Sequence, residues 1–411
     1  MTISKPKDGV THKWTFLPRF RRHAFGWRSQ PAIQRIKEAV SEIKKVARKD
    51  PNLAAEGAVR FIEKVVGAIE HVDSSSGSMG TAVYNAIEAL VPIIAAADVD
   101  GIKRDKWLER LWQAFEEDGY SYIETLGDHW GALCSSEEIA SQWADRFIDR
   151  VRLYWKERKA GTGYFRGVTA CLSCLLTAGR HQELIDLLNE ASYTFWSYHR
   201  FGFLALAAMG QHEAALKFAE QCGGPNDGHH IDQDCENLLI SVGEVEQAYQ
   251  RYAMHANASN TRINTFRSIT KKYPTVDPDR ILNDLIASTP GEEGKWFATA
   301  RKLGYMDLAL DLANRSPCDP LTLNRAARDT IEENPEFALG VALASLRWLC
   351  EGWGYEITGV DVLAAYGYAM KAAERLEEKE TVSQKIQSLV TGDGLGGKFV
   401  KDVLGSRLGK P

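Results

Sequence analysis

Nowhere in this sequence do apolar residues run long enough to cross a bilayer: the longest stretch, Ala89 to Ala97, is about half of the roughly 20 residues required. The first ten residues are polar, with Lys5, Pro6, Lys7, Asp8 and Gly9, and no apolar signal-peptide core follows them. Cysteine is scarce, seven residues scattered over 411, an odd number without the density of a disulfide scaffold. Together these absences make a reducing, cytoplasmic setting without a membrane partner the expectation. Charge of one sign is also lacking, since the net charge of -5 excludes a uniformly basic nucleic-acid binder and a uniformly acidic tail. Catalytic signatures are missing as well: there is no Gly-x-Ser-x-Gly, no His-Glu-x-x-His and no Cys/His pair in a recognisable setting. The expectation is a non-enzymatic protein with no catalytic residue, no cofactor and no metal.

The near-neutral total conceals an asymmetry. Residues 1–50 carry thirteen Lys and Arg against four acids, a charge of +9, which leaves the remaining chain at −14. Within this segment Arg19, Arg21, Arg22, His23 and Arg28 interleave with Trp14, Phe16, Phe20, Phe25 and Trp27. Cations beside rings can hold phosphate and stack on bases, so the basic region 14–49, and these five basic residues above all, are candidates for single-stranded nucleic acid. The plainer reading, and the leading one, is an arm that lies across acidic helices with its rings buried and its arginines paired.

Strand-like alternation is scarce, whereas apolar residues recur at i, i+3, i+4 and i+7 throughout. Helices are expected at about 31–47, from Pro51 to about 69, up to Ala97, and at about 101–118, 120–133 and 136–159, with Ser29 as a cap and Pro31 in a first turn. From residue 161 the pattern repeats. Gly179, Gly210, Gly243 and Gly304 are spaced by 31, 33 and 61 residues, the last interval close to two units, with Tyr273-Pro274 at its midpoint and Asn334-Pro335 opening a sixth unit. Positions −1 (Ala178, Met209, Val242, Leu303) and −4 (Leu175, Leu206, Leu239, Ala300) are apolar, as are +5 (Leu184, Ala215, Ala248, Ala309) and +9 (Leu188, Ala219, Tyr252, Ala313). Glycine then supplies a left-handed turn between two helices whose facing stripes pack closely, and each hairpin must stack on its neighbours.

In this Gly, Ala(+5), apolar(+9) pattern the segment 161–350 resembles the tetratricopeptide repeat, although its units are shorter than the family's and lack its regular Trp and Pro. The resemblance implies an all-α fold, a right-handed superhelical array of helical hairpins, preceded by an N-terminal helical region. The segments Phe20-Arg-Arg-His-Ala-Phe-Gly-Trp-Arg-Ser-Gln and Trp296-Phe-Ala-Thr-Ala-Arg-Lys-Leu-Gly are similar to a bacterial group of helical proteins of unknown function. The domain organisation expected is an arm at 1–30, a helical region at 31–160, repeats at 161–350, and capping helices with a tail at 351–411. A scaffold of this kind would take an unknown protein or peptide in its groove, with Trp143, Trp155, Tyr193, Trp196, Tyr198, Tyr249 and Tyr252 as candidate anchors if they are not core.

Three other features are candidates for chemistry. Cys171-Leu-Ser-Cys174 has the spacing of a redox or zinc pair, yet both cysteines fall on core positions of the repeat, at −8 and −5, and are read as buried thiols. The linker Cys222 to Cys235 crowds Asp227, His229, His230, Asp232 and Asp234, and makes a metal-dependent enzyme using the 222–235 loop a further alternative, with helix capping by Asp232 or Asp234 as the plainer account. Gly392 to Lys398 fits a phosphate-loop spacing, but Phe399 stands where Ser or Thr is needed and no strand precedes it, so it is read as a flexible break. Adjacent glutamates such as Glu292-Glu293 and Glu332-Glu333 are read as solvated faces.

Overall fold

Four Asx-Pro pairs start four of the helices of this chain. Asp50, Asp277, Asp319 and Asn334 each accept a backbone N–H of the first turn through the side chain while proline occupies the first helical position. The computed structural model describes residues 12–159, 165–191, 193–223, 227–392, 394–405 and 407–408, and among these every regular element is helical. The chain forms two compact units, residues 1–238 and 239–411. The division falls inside the repeat segment 161–350, so the expected repeats are shared between the units.

In the first unit α1 (Ser29–Ala47), α2 (Pro51–Ile69) and α3 (Ser78–Ala95) pack on one another. Ser29 already lies in the helix, and Arg28 takes the cap position without a capping side chain. α4 (Gly101–Glu117) starts at Asp100, whose carboxylate accepts the Lys103 N–H at 2.7 Å. The helix expected at 120–133 is not continuous. Buried Asp118 accepts the N–H groups of Tyr120 and Ile123, which fixes a turn, and a 3-10 segment, Glu124–His129, leads into the short α5 (Trp130–Cys134). Here the backbone runs close against the following hairpin: a Cβ on Gly131 would stand 2.3 Å from the Ser173 carbonyl oxygen. α6 (Glu137–Lys159) completes this region. α3 is long and apolar enough, by length and composition, to cross a membrane, beyond what the run Ala89–Ala97 suggested. Its face of Met79, Val83, Ala86, Ile87, Leu90, Val91 and Ile94 is buried, and it packs on α1, α2 and α5.

The repeating hairpins follow as α7 (Val168–Thr177) with α8 (His181–Asn189) and α9 (Trp196–Ala208) with α10 (His212–Glu220). Next come α11 (Gly228–Ser241), α12 (Val245–Ala256), α13 (Arg262–Lys272), α14 (Pro278–Ala287), α15 (Phe297–Lys302) and α16 (Met306–Arg315). The four repeat glycines have φ of 70°, 73°, 88° and 90°. Each sits in the same pair of hydrogen bonds: Gly179 N–H to Leu176 and Arg180 N–H to Leu175, then the equivalent bonds at Gly210, Gly243 and Gly304. This is the Schellman closure of a helix, open to glycine because its αL residue carries no Cβ penalty.

Positions +5 and +9 are buried in all four units, and so are −8 (Cys171, Gly202, Cys235, Trp296) and −5 (Cys174, Ala205, Leu238, Thr299). The −1 position differs from the expectation. Ala178, Met209 and Leu303 are half-buried and Val242 is exposed, because the residue before the turn already faces away from the partner helix. In the second unit α17 (Pro320–Thr330) and α18 (Pro335–Cys350) form the hairpin expected at Asn334-Pro335, and α19 (Gly359–Arg375), α20 (Lys379–Val390) and α21 (Gly397–Leu404) follow.

Candidate functional site

The arm of residues 12–28 lies against α1 and α2. Trp14, Phe16, Phe20 and Phe25 are buried, each contributing about 2 kcal/mol by area removed from water. Glu42 of α1 gathers three donors, the N–H and Oγ1 of Thr15 at 2.7 and 2.6 Å and the Phe16 N–H at 3.1 Å. Of the five basic residues singled out in the sequence, Arg19 pairs with Glu38 at 2.8 Å, and Arg22 and His23 meet Glu70 at 3.0 and 3.4 Å. The Arg22 and Arg19 guanidiniums hold Glu70 and Glu38 below the ordinary carboxylate range, Glu38 with a larger share from its hydrogen bond to Gln34. Arg21 and Arg28 are exposed, without an ion pair among the described residues. The structure therefore gathers no five-residue cationic site on the arm. Its Trp and Phe rings pack inward except Trp27, which with His12 and His23 is exposed, and Arg19, Arg22 and His23 are engaged while Arg21 and Arg28 are open.

A second, clustered set of open cations belongs to α1 and its C-cap residue Arg48. Around this helix, at about 100° per residue, Ala32, Ile36, Ala39 and Ile43 form the core stripe, Glu38 and Glu42 turn to the arm, and Lys37, Ser41, Lys44 and Arg48 share a third face with Lys45 beside them. That third face is one wall of a groove of about 430 Å³ between α1 and α3, floored by Ile36, Val40, Ala82, Ala86 and Ala89, with Asn85 on the other wall. Lys37, Lys44, Lys45 and Arg48 are exposed and have no carboxylate partner among the described residues. No acid lines the groove. The three acids of α1 and α3 are engaged elsewhere: Glu38 with Arg19 and Gln34, Glu42 with the arm, and Glu88 with His129 at 2.7 Å. The helix dipole favours Lys44, Lys45 and Arg48 at the C-terminal end of α1, but not Lys37 in mid-helix. The like charges at i, i+3 and i, i+4 (Lys45–Arg48 and Lys44–Arg48) cost a few tenths of a kcal/mol each.

Elsewhere in the first unit Arg200 of α9 lies 3.7 Å from Asp128, and the Trp196 indole N–H donates to Asp234 of α11 at 2.9 Å. Burial pushes both aspartates up, and Arg200 acts against it. Cys171 and Cys174 are buried core thiols, and Cys174 Sγ is 4.0 Å from Cys134 Sγ, a neighbour on α5 that the CxxC spacing does not reveal. Burial pushes the Cys171 thiol up to about 12, so it is neither a ready nucleophile nor a ready ligand.

The cluster 222–235 is largely helix: α11 starts at Gly228, so His229, His230, Asp232, Asp234 and Cys235 lie on helical turns and not in a linker, while residues 224–226 lie outside the described residues. Asp232 and Asp234, four and six residues past its start, are too deep to cap it. Among the described residues no group of three or more His, Cys, Asp and Glu is placed to hold a metal ion. The segment Gly392–Lys398, read as a flexible break, packs on the end of α18: Gly396 N–H donates to the Cys350 carbonyl at 2.9 Å, and a Cβ on Gly394 would stand 2.3 Å from the same oxygen. Residue 393 lies outside the described residues.

Of the seven aromatic anchors, Trp143, Trp155, Trp196, Tyr249 and Tyr252 are buried, and Tyr193 and Tyr198 are half-buried. Glu292 and Glu332 of the glutamate pairs are taken up in ion pairs with Arg262 and Lys295, and with Lys371 and Arg375. The groove residues Lys37, Lys44, Lys45 and Arg48 were within the basic region 14–49 but not among the residues singled out. The signal that finds them is the separation of Glu38 and Glu42 from Lys37, Lys44 and Arg48 around the helical wheel, with Lys45 between the two sets. Comparison with protein families, with curated proteins and with solved structures gives no match for this chain.

Proposed function

We propose that this protein is a non-enzymatic interaction protein of the cytoplasm, a right-handed TPR-like α-solenoid, whose partner protein docks an acidic segment into the α1/α3 groove. The observation that carries the proposal is the set of four exposed, unpaired cations along an apolar floor, while every carboxylate of the same two helices is engaged elsewhere. The solenoid part is supported by four glycine turns of one geometry spaced by 31, 33 and 61 residues. The dock differs from the repeat groove expected from the sequence, because the aromatics that would have anchored a partner there are mostly core. Nucleic acid is the lesser reading: no ring lines the groove for a base to stack on, and the arm's Trp and Phe rings are buried apart from Trp27.

The test is fluorescence anisotropy with labelled poly-L-glutamate and a labelled single-stranded oligo-dT as probes. Poly-L-glutamate is expected to bind at low salt, to weaken steeply as salt rises, and to lose tenfold or more in the Lys44→Glu, Lys45→Glu double variant. Absent binding, or binding unchanged in the variant, would overturn the proposal. Tighter binding of oligo-dT with the same loss in the variant would replace the protein partner by nucleic acid.

A further inference from the structure

Resting on that reading, we infer that the segment received by the groove is an α-helix lying along α1, with small or aliphatic residues against the floor and acidic side chains spaced at helical period to meet Lys37, Lys44, Lys45 and Arg48.

Backbone hydrogen bonding favours a helical occupant. Both walls of the groove are helices, so their peptide groups bond within the wall and offer no free strand edge for an extended peptide to extend. The polar lining that is not charged consists of Ser41 and Asn85. An extended chain over Ile36, Val40, Ala82, Ala86 and Ala89 would leave peptide groups facing apolar carbon, at a cost comparable to lost hydrogen bonds. A helix brings its own satisfied backbone and presents only side chains.

The shape of the floor suits a helix too. Ala82, Ala86 and Ala89 recur at i, i+4 and i+7 on α3, so the wall opposite the cations carries no bulky group. Small residues at that period let a second helix approach to the usual interaxial distance of about 8–10 Å. α3 thus has two apolar faces: one buried in the helical core, and one, with Ala82 and Ala89 half-buried, facing the groove. This second face explains why the helix is more apolar than its packing requires.

The cations are in helical register. Lys37, Lys44 and Arg48 stand at i, i+7 and i+11 on one stripe, about 16 Å from end to end at 1.5 Å per residue, and Lys45 flanks them. A partner helix running alongside at the same rise meets that stripe with carboxylates at the same intervals, on one flank only, because the α3 wall bears Asn85 and alanines. The occupant is therefore amphipathic in a particular sense: an apolar edge of small residues beside a single acidic edge, over about three turns.

The test uses two synthetic peptides of about 18 residues with identical composition of Glu, Ala, Leu and Gln. In one, the glutamates recur at i, i+7, i+8 and i+11 beside an apolar edge; in the other, the same residues are dispersed around the helix. Binding to the full chain is followed by calorimetric titration, and peptide helicity by circular dichroism. The patterned peptide is expected to bind at least tenfold more tightly than the dispersed one and to gain helicity when bound. Ala82→Phe, which fills the groove floor without changing charge, is expected to weaken the patterned peptide tenfold while leaving the melting curve of the protein in place. Equal binding of the two peptides, or binding without gained helicity, overturns the helical occupant but leaves the acidic dock standing. Failure of both peptides, in a protein that also fails to bind poly-L-glutamate, overturns the dock itself. Unchanged affinity in the Ala82→Phe protein places the peptide outside the groove and overturns the inference.

Discussion

Gly57 and Trp14 work as a pair at the scale of single residues. A Cβ built on Gly57 would stand 2.2 Å from the Trp14 ring, so the absence of a side chain on α2 is what seats the arm. Trp14→Ala is expected to cost about 3 kcal/mol, in the range of a buried Trp lost to a cavity, and Gly57→Leu to destabilise by pushing the same ring out; chemical denaturation measures both. Equal stability of the Gly57→Leu protein would mean that the arm is not seated there. Thiols offer a second test. Burial pushes Cys171 and Cys318 up to about 12 and Cys350 and Cys222 up to about 11, and Cys222 alone of the seven is not fully buried. A thiol reagent at about pH 8 is expected to reach Cys222 first and the others only on unfolding; labelling of Cys171 or Cys174 as fast as Cys222 would contradict the packing.

Elements are where the chain is most legible in its residues. Glycine at a fixed offset from apolar stripes marked hairpin turns at 179, 210, 243 and 304, and all four have positive φ. Gly210→Ala is expected to cost about 1 kcal/mol, since a Cβ is strained at φ 73° though nothing lies within 4 Å of it; a thermal melt measures the loss. What escaped the periodic reading was side chain to backbone chemistry. Asp118 turns the chain where apolar spacing suggested a helix through 120–133, and α11 begins at Gly228 because Gly and His are admissible in a first turn that composition alone assigns to a linker. The arm's docking followed from its alternation of rings and cations, yet which arginine meets which acid depends on contacts 19 to 48 residues apart that no local pattern encodes. Those pairs make the docking pH-sensitive. Glu70 and Glu38 lie below their ordinary 4.5 in the folded chain, so their contribution is complete above that value and is lost as pH falls through the lowered ones. The stability gap between wild type and Glu70→Gln is therefore expected to hold at neutral pH and to close as pH falls below 4.5 in denaturation curves; a constant gap would contradict the pairing.

At the scale of the molecule, the near-neutral charge resolves into separate surfaces. The +9 of residues 1–50 is split by the fold: the arm's Arg19 and Arg22 are consumed by Glu38 and Glu70, and Lys37, Lys44, Lys45 and Arg48 are left facing a groove with no acid in its lining. The site was half legible for this reason. A basic region within 14–49 is plain in the sequence, but its ring-bearing part is the part that packs inward, and only the three-way division of α1 between core, arm and groove identifies the cations that face the groove. The central claim is that these cations receive an acidic partner segment, and a charge-swap titration tests it most directly. Wild type and a protein with all four groove cations swapped (Lys37→Glu, Lys44→Glu, Lys45→Glu, Arg48→Glu), which turns the lining from +4 to −4, are each titrated calorimetrically with the patterned glutamate peptide and with its lysine counterpart. The account predicts a crossing: wild type binds the acidic peptide and rejects the basic one, and the variant reverses that order by tenfold or more in each direction. Binding of either peptide that ignores the reversal would contradict it.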